Sequence, residues 1–174
     1  MIKTTKQNNN NENILYNNIL LLSRNKIFYT KFNLLDTFQN RIYLIFIHTS
    51  FILTKKKSLN SREDYKIFYQ KLFDLIFVKI ELNMREIGYG DVTVNKNMKQ
   101  LVKSFYSILL FCEKFSNETD KSINAFVLKY LNRNNNEKTP DITPLINYFK
   151  KYQTFCFSLN SDSVLKGELN FNYK

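Results

Sequence analysis

Few residues of this 174-residue chain have the chemistry that catalysis or metal binding requires. The chain contains one histidine, His48, and two cysteines, Cys112 and Cys156. Metalloenzymes and proton-relay networks draw on several such side chains, which argues against a hydrolytic metalloenzyme. The two cysteines are far apart and match neither a CxxC metal motif nor a disulfide framework, so we interpret them as reduced thiols of the core. We therefore expect no catalytic residues, no metal site and no cofactor.

A basic helix face is the first candidate for a binding site. Lys96, Lys99 and Lys103 recur at helical spacing, and the whole chain has a formal net charge of +11. Clustered ammonium groups repel one another, so an anionic partner would stabilise them. Ribosomal RNA, anionic lipid headgroups and an acidic protein segment all fit, and so does an ordinary solvated face. Tyr106 and Leu110 lie in or beside the same sector, which favours a protein or membrane contact.

His48 lies in a nearly all-apolar segment, where a lone histidine is more often a satisfied structural donor than a haem ligand. Arg41 precedes it by two helical turns on the same face and needs a carboxylate or carbonyl partner if it is buried. We expect these two residues to mark a polar pocket inside the protein. The candidate carboxylates are those of Asp36, Glu81, Glu86 and Asp91.

The segment GYGD, residues 88–91, has the glycines of a phosphate-binding loop but lacks the GxxxxGK[ST] pattern and does not follow a strand. Gly88 is typical of a left-handed helix C-cap, and Asp91 is a suitable N-cap for a following helix. Gly90 then completes a short turn. A tight antiparallel hairpin of two helices explains both glycines and the aspartate.

The elements that must position these residues are predicted to be helices. Three glycines and two prolines provide too little turn chemistry for a sandwich or barrel of many strands. Apolar residues make up 44% of the chain, enough for one core. Asp36 and Gln39 resemble a capping box at the start of the central helix. Apolar spacing predicts helices at roughly 13–26, 36–55, 65–88, 91–114, 123–131 and 143–156.

We therefore predict an all-α fold, a single-domain bundle of about six helices with a short extended C-terminal tail. Residues 1–12 form a flexible Asn-rich N-terminus, and residues 13–174 form the domain. The longest uncharged apolar run, 42–53, is shorter than the roughly 20 residues that cross a bilayer. The N-terminus also lacks the features of a signal peptide or a transit peptide, so we expect the protein to stay where it is made.

The order of these motifs resembles the ubiquinol-cytochrome c chaperone family, especially its alphaproteobacterial branch, from about Phe28 to Phe171. In the block FYTKFNLLDTFQNRIYLIFIH, the residues similar to the family are Phe28, Tyr29, Asp36, Thr37, Arg41 and His48. In the more specific block MREIGYGDVTVNKNMKQLVKSFY they are Arg85, Glu86, Gly88, Gly90, Asp91, Val94, Lys96, Met98, Lys99, Phe105 and Tyr106. Weaker late motifs are Leu131, Asn132, Arg133 and Asn134, and the closing GELNF.

The resemblance implies an all-helical, non-enzymatic assembly chaperone that binds newly made cytochrome b during biogenesis of ubiquinol-cytochrome c reductase, respiratory complex III. It also implies further partners: the ribosome near its exit tunnel, an anionic membrane surface and a small partner protein. The implied location is cytoplasmic and peripheral to the inner membrane, or on the matrix side of a mitochondrion. The exposed aromatic area that such a client needs is consistent with a Phe and Tyr content of 16%.

Two sets of site residues follow from this interpretation. The predicted partner-binding residues are Arg85, Asp91, Lys96, Lys99, Lys103 and Tyr106. The predicted polar core and structural residues are Asp36, Arg41, His48, Glu86, Gly88 and Gly90. Two alternatives remain open, a basic helical protein that binds RNA or the ribosome, and a carrier of haem or quinone with His48 in its pocket.

Overall fold

The computed structural model describes residues 10–54, 63–133 and 141–173, and within these ranges the chain forms eight α-helices and no β-strand. The helices are α1 (Asn11–Ser23), α2 (Ile27–Thr30), α3 (Phe38–Thr54), α4 (Glu63–Glu86), α5 (Asp91–Lys114), α6 (Asp120–Tyr130), α7 (Thr143–Ser158) and α8 (Ser161–Leu165). A 3-10 turn, Phe115–Asn117, follows α5. The prediction of an all-α bundle is confirmed.

Helix α3 is the central helix of the bundle. It packs against α1, α5 and α7. Every side chain from Leu44 to Ile52 is buried, as expected for a helix that is apolar around its whole circumference. Helix α6 is joined to α5 by the stacked rings of Phe111 and Phe126, whose centroids are 4.0 Å apart. The single core therefore forms around α3.

The two cysteines belong to this core, as predicted. Cys112 on α5 and Cys156 on α7 are both buried, and they form no disulfide. Burial raises the pKa of the Cys112 thiol well above its ordinary value, because the core does not solvate a thiolate. Both side chains therefore act as small apolar groups.

Helices α4 and α5 form the tight antiparallel hairpin that the sequence predicts. Gly88 has a φ of +95°, and the amides of Gly88 and Tyr89 donate to the carbonyls of Arg85 and Met84 at 3.0 Å each. This is the Schellman pattern of a helix C-terminus. The predicted cap of α5 is wrong, because Gly90 occupies the N-cap position while the Asp91 carboxylate bonds to the Arg85 guanidinium instead.

The start of α3 also differs from the prediction. Asp36 does not cap the helix, since the hydroxyl of the next residue, Thr37, accepts a hydrogen bond from the Asn40 amide at 3.2 Å. The Thr37 carbonyl then accepts from the Arg41 amide at 3.1 Å. Asp36 is left free to bind the Arg41 side chain on the surface. Two adjacent residues can both act as caps, and the local geometry selects Thr37.

The two ends of the chain show smaller differences. Helix α1 begins at Asn11, inside the segment predicted to be flexible, and Glu12 is buried with a carboxylate oxygen 3.6 Å from the Lys71 ammonium. The rest of that segment, residues 1–9, lies outside the described residues, as does Asn134 of the late motif. The single turn α2 and the short α8 were not predicted. Residues 168–173 form the extended tail that the sequence predicts.

Candidate partner-binding surface

One side of α5 presents both cationic and apolar groups to solvent. We call it the α5 outer face, and it comprises Val92, Lys96, Lys99, Lys103, Tyr106 and Leu110. Their spacing places them on one side of the helix, while Val94, Leu101 and Phe105 point into the core. Val92 is 84% exposed and Leu110 is 61% exposed. The α5 outer face is therefore a mixed surface.

The three lysines of this face have no carboxylate partner within the described part of the chain. The ion pairs found there join other residues, on α1, α3, α4, α6 and α7, and include Asp91 at the first position of α5. Lys96, Lys99 and Lys103 are all exposed. Their ammonium groups therefore add to one positive field, which attracts an anionic partner and weakens as salt is added.

Arg85 and Asp91, which were predicted as partner-binding residues, are engaged with each other. Arg85 bonds to Asp91 and, through Nη2 at 2.9 Å, to the Glu81 carboxylate. The hydrogen bonds that Arg85 donates to Asp91 and to Glu81 raise the pKa of its guanidinium. The guanidinium thus links the last turn of α4 to the first residue of α5. Its charge is largely offset, unlike that of the three lysines, and a partner role for Arg85 and Asp91 stays a prediction.

Helix α4 also exposes large apolar side chains. Most of the large apolar side chains that are exposed in the described residues lie on α4, α5 and the turn between them: Ile67, Val78, Leu82, Ile87, Tyr89, Val92, Tyr106 and Leu110. The Tyr106 ring packs beside Phe73 of α4, with centroids 6.0 Å apart. The α4 residues of this set were not predicted, although their positions off the inward stripe that includes Leu72 and Ile76 indicate that they are exposed.

The predicted polar core is only partly assembled. His48 is buried, whereas Asp36, Arg41 and Glu86 are exposed. Arg41 and Glu86 nevertheless line the same cavity as Ser23, whose hydroxyl lies 3.5 Å from Nδ1 of His48. Arg41 donates to both carboxylate oxygens of Asp36, at 2.7 and 2.8 Å, and its hydrogen bond lowers the pKa of Asp36. Arg41 lies in the first turn of α3, where the bundle ends and a long side chain reaches water. Gly88 is exposed as well, in the α4–α5 turn.

His48 forms a closed network inside the bundle. Its Nδ1 lies 2.6 Å from the Leu44 carbonyl oxygen, which can only accept, so Nδ1 carries the proton. Nε2 therefore accepts from the Tyr148 hydroxyl at 2.7 Å. Burial lowers the pKa of His48 to about 4. Both ring nitrogens are engaged, so His48 has no lone pair left for a haem iron.

The cavity nearest to this network lies between α1, α3 and the end of α4. It has a volume of about 190 Å³ and is lined in part by Tyr16, Leu20, Ser23 and Ile45. Pockets for cofactors and drug-sized ligands typically measure ~300–1,000 Å³. This cavity is too small for a haem or a quinone headgroup with its tail, and the carrier alternative gains no support from it.

The described residues include no arrangement of three or more His, Cys, Asp or Glu side chains that could hold a metal ion. Within the same ranges, no helix combines the length and the apolar character needed to cross a bilayer.

Comparison with known proteins places these features in context. Residues 30–171 match the family model described as Ubiquinol-cytochrome C chaperone. No curated protein matches the sequence. The crystal structure of the Cbp3 homolog from Brucella abortus is similar, with a TM-score of 0.78 and 19% sequence identity over 94% of this chain and 89% of that chain. At that identity the similarity establishes the fold alone. The matched residues include all of α3, α4 and α5 that the structure describes.

Proposed function

The chain belongs to the ubiquinol-cytochrome c chaperone family, and we propose that it assists assembly of ubiquinol-cytochrome c reductase by binding newly made cytochrome b. In this proposal the protein is not an enzyme: it holds its client and releases it unchanged. The observation that carries the proposal is the α4–α5 hairpin, which exposes large apolar side chains together with three lysines that have no ion-pair partner among the described residues.

The apolar component suits a client made of membrane helices. Such a client exposes apolar side chains until it is inserted or assembled, and a chaperone must cover them transiently. Contiguous exposed apolar patches on a folded protein mark interaction sites. Val92, Tyr106 and Leu110 are exposed on one side of α5, and Val78 and Leu82 are exposed on α4. These side chains provide area without a deep pocket, as binding of varied helix faces requires.

The cationic component suits the place where the client emerges. We place the protein at the periphery of the inner membrane, on the cytoplasmic side or on the matrix side in a mitochondrion. There Lys96, Lys99 and Lys103 would face anionic lipid headgroups or ribosomal RNA near the exit tunnel. A lysine close to an anionic bilayer contributes about 1 kcal/mol of attraction. Arg85 and Asp91, at the hairpin end, are proposed to contact a small partner protein.

Site-specific photo-crosslinking tests the client directly. We would replace Tyr106 with a benzoylphenylalanine residue and isolate adducts during synthesis of cytochrome b. Phe157 on α7 is the matched control, because its exposed fraction, 51%, is almost equal to the 52% of Tyr106 while it lies on another helix. Adducts with cytochrome b are expected at Tyr106 and not at Phe157. Equal capture at both positions would indicate nonspecific contact.

Gene deletion tests the role in assembly. Loss of the protein should lower the amount of assembled reductase while the cytochrome b transcript stays unchanged. Re-expression of the wild type should restore the complex, and re-expression of the Lys96→Glu/Lys99→Glu/Lys103→Glu variant should restore it poorly. Normal reductase levels in the deletion strain would count decisively against the proposal.

A second candidate function rests on the three lysines alone, namely binding of RNA. In that case the affinity for RNA should fall steeply with salt, with a slope of roughly −2 in log affinity against log salt for three phosphate contacts on a single strand. Charge reversal of the three lysines should abolish it. A filter-binding affinity that is flat across salt would remove this alternative.

A further inference from the structure

The C-terminal segment after α8 is an extended strap whose side chains alternate in direction. Leu169 is buried, and Phe171 and Tyr173 are partly buried, whereas Asn170 and Asn172 are exposed. A period of two is typical of an extended chain that uses one side for contact. The strap therefore presents three large side chains to the bundle and two amides to water.

The bundle meets the strap with a row of aromatic rings, which we call the aromatic groove: Phe32, Tyr148, Tyr152 and Phe155. The centroid of the Phe171 ring lies 5.7 Å from that of Tyr148, 5.0 Å from that of Tyr152 and 5.1 Å from that of Phe155. Tyr173 lies 5.0 Å from Tyr148 and 6.0 Å from Phe32.

Two cations border the far end of the groove. The ammonium groups of Lys31 and Lys151 lie 5.9 and 4.9 Å from the centroid of the Tyr173 ring. A cation over the face of a tyrosine ring is attracted by the negative face of the ring. The end of the groove therefore suits an aromatic ring both because rings line it and because two ammonium groups lie near the position that Tyr173 occupies.

The backbone of the strap, by contrast, is hardly held. Its last anchors are at the start, where Asn18 Nδ2 donates to the Gly167 carbonyl at 2.8 Å and the Glu168 amide donates to the Ser163 carbonyl at 2.9 Å. Beyond Glu168, the backbone of the strap makes no hydrogen bond to the residues that the structure describes. Only side chains hold residues 169–173, so another chain with suitable side chains can replace them without breaking a backbone ladder.

We propose that the aromatic groove is a binding surface for an extended segment of a partner protein that carries large apolar or aromatic side chains at alternate positions. Residues 169–173 occupy the groove as an internal ligand when no partner is bound. The chemistry of the occupant follows from the segment already seated there. The groove involves α7 and the residues after α2, away from the α4–α5 hairpin, and the inference does not depend on the identity of the client.

Competition between the strap and a partner gives a test. A tethered segment has an effective concentration in the millimolar range, so the strap masks the groove in the intact chain. Removing its two ring side chains should unmask it. We would measure binding of a labelled peptide with the sequence GELNFNYK by fluorescence anisotropy to the wild type and to Phe171→Ala/Tyr173→Ala. The matched control is Asn170→Ala/Asn172→Ala, which changes the two outward side chains only.

The expected result is binding to Phe171→Ala/Tyr173→Ala about tenfold or more tighter than to the wild type, with the asparagine variant like the wild type. A shuffled peptide of the same composition, with its apolar residues adjacent, should not bind. Equal binding to all three proteins would overturn the proposal. Loss of helical circular dichroism in Phe171→Ala/Tyr173→Ala would overturn it too, because the strap would then be part of the core. A wild-type dimer that this variant loses would assign the groove to a second copy of the chain instead.

Discussion

The hydroxyl of Tyr148 donates a hydrogen bond to Nε2 of His48 across 2.7 Å, although the two residues are 100 positions apart in the sequence. The bond joins α3, the central helix, to α7. Burial raises the pKa of Tyr148, so its hydroxyl stays protonated and remains a donor. The bond also requires a neutral His48, because an imidazolium would offer a proton at Nε2 and could not accept.

Acid should therefore destabilise the protein through His48. The pKa of His48 is about 4 in the folded protein, whereas that of an exposed imidazole is 6.5, so the unfolded chain binds more protons between these pH values. Stability that is complete above pH 6.5 is lost as the pH falls toward 4. Between pH 7 and pH 5 the free energy of unfolding should fall by about 2 kcal/mol, measured by urea denaturation at both pH values.

A His48→Gln variant provides the control for this effect. It cannot titrate, so its free energy of unfolding should change little between pH 7 and pH 5, whatever its absolute value. The pKa values of Asp36 and Asp141 are lowered from 3.8, and their contributions are lost only below that value. They therefore lie outside the window tested. An equal loss in both proteins would show that another group titrates there.

Tyr148→Phe isolates the hydrogen bond from the ring packing. The substitution keeps the ring contacts with Phe28 and Phe171 but leaves Nε2 of His48 buried without a donor. An unsatisfied buried acceptor costs about 1–3 kcal/mol, and the unfolding free energy should fall by that amount. Tyr106→Phe removes an exposed hydroxyl and should change stability by less than about 0.5 kcal/mol. Similar values for the two variants would contradict the role given to the bond.

The burial of a side chain within a helix can be predicted from the sequence, because apolar residues recur at helical spacing. Helix α5 is long and amphipathic, so the spacing of its apolar residues predicts that Val94 and Phe105 are buried and that Lys99 is exposed. The burial of His48 follows in the same way from an apolar segment. Its partner Tyr148 does not, because no local pattern fixes which residue of α7 lies opposite α3.

The errors concern polar residues near helix ends. Arg41 shares a helix face with His48 and lines the cavity next to Ser23, but its guanidinium lies where the bundle ends and binds Asp36 in water. Asp91 follows a turn glycine, as a cap would, but the Arg85 guanidinium competes for its carboxylate. Such choices depend on side chains from other turns or helices, and a single periodic pattern carries no information about them.

The α4–α5 turn offers a matched pair of glycines. Gly88 has a φ of +95° and open space around the position of a Cβ atom, so Gly88→Ala tests backbone strain alone. An alanine in this left-handed region costs roughly 1–2 kcal/mol. Gly90 has an ordinary φ of −71° and equally open space. In Gly90→Ala, alanine is a poorer N-cap than glycine, which destabilises the folded protein, but it also restricts the unfolded chain, which favours folding. These two effects oppose each other, so the free energy of unfolding should change by less than about 0.5 kcal/mol. Thermal unfolding of both variants should show a lower midpoint for Gly88→Ala only.

Charge reversal on the α5 outer face should change binding and leave folding intact. The Lys96→Glu/Lys99→Glu/Lys103→Glu variant lowers the net charge by six, from +11 to +5, and alters only exposed side chains without ion-pair partners in the described residues. Its unfolding free energy should stay within about 0.5 kcal/mol per site. Loss of three lysine contacts, each contributing about 1 kcal/mol, should weaken binding to anionic lipid vesicles by about 100-fold or more.

Vesicle sedimentation at two salt concentrations measures this effect, with neutral vesicles as the lipid control. The matched protein control reverses Lys26, Lys121 and Lys166, which are exposed on three other parts of the chain. Both variants have the same net charge, so a difference between them reports the arrangement of the lysines and not their number. If the two variants lose affinity equally, the α5 outer face has no special part in binding. If RNA displaces the wild type from vesicles at stoichiometric amounts, the lysines prefer phosphodiester chains, which favours the RNA-binding alternative.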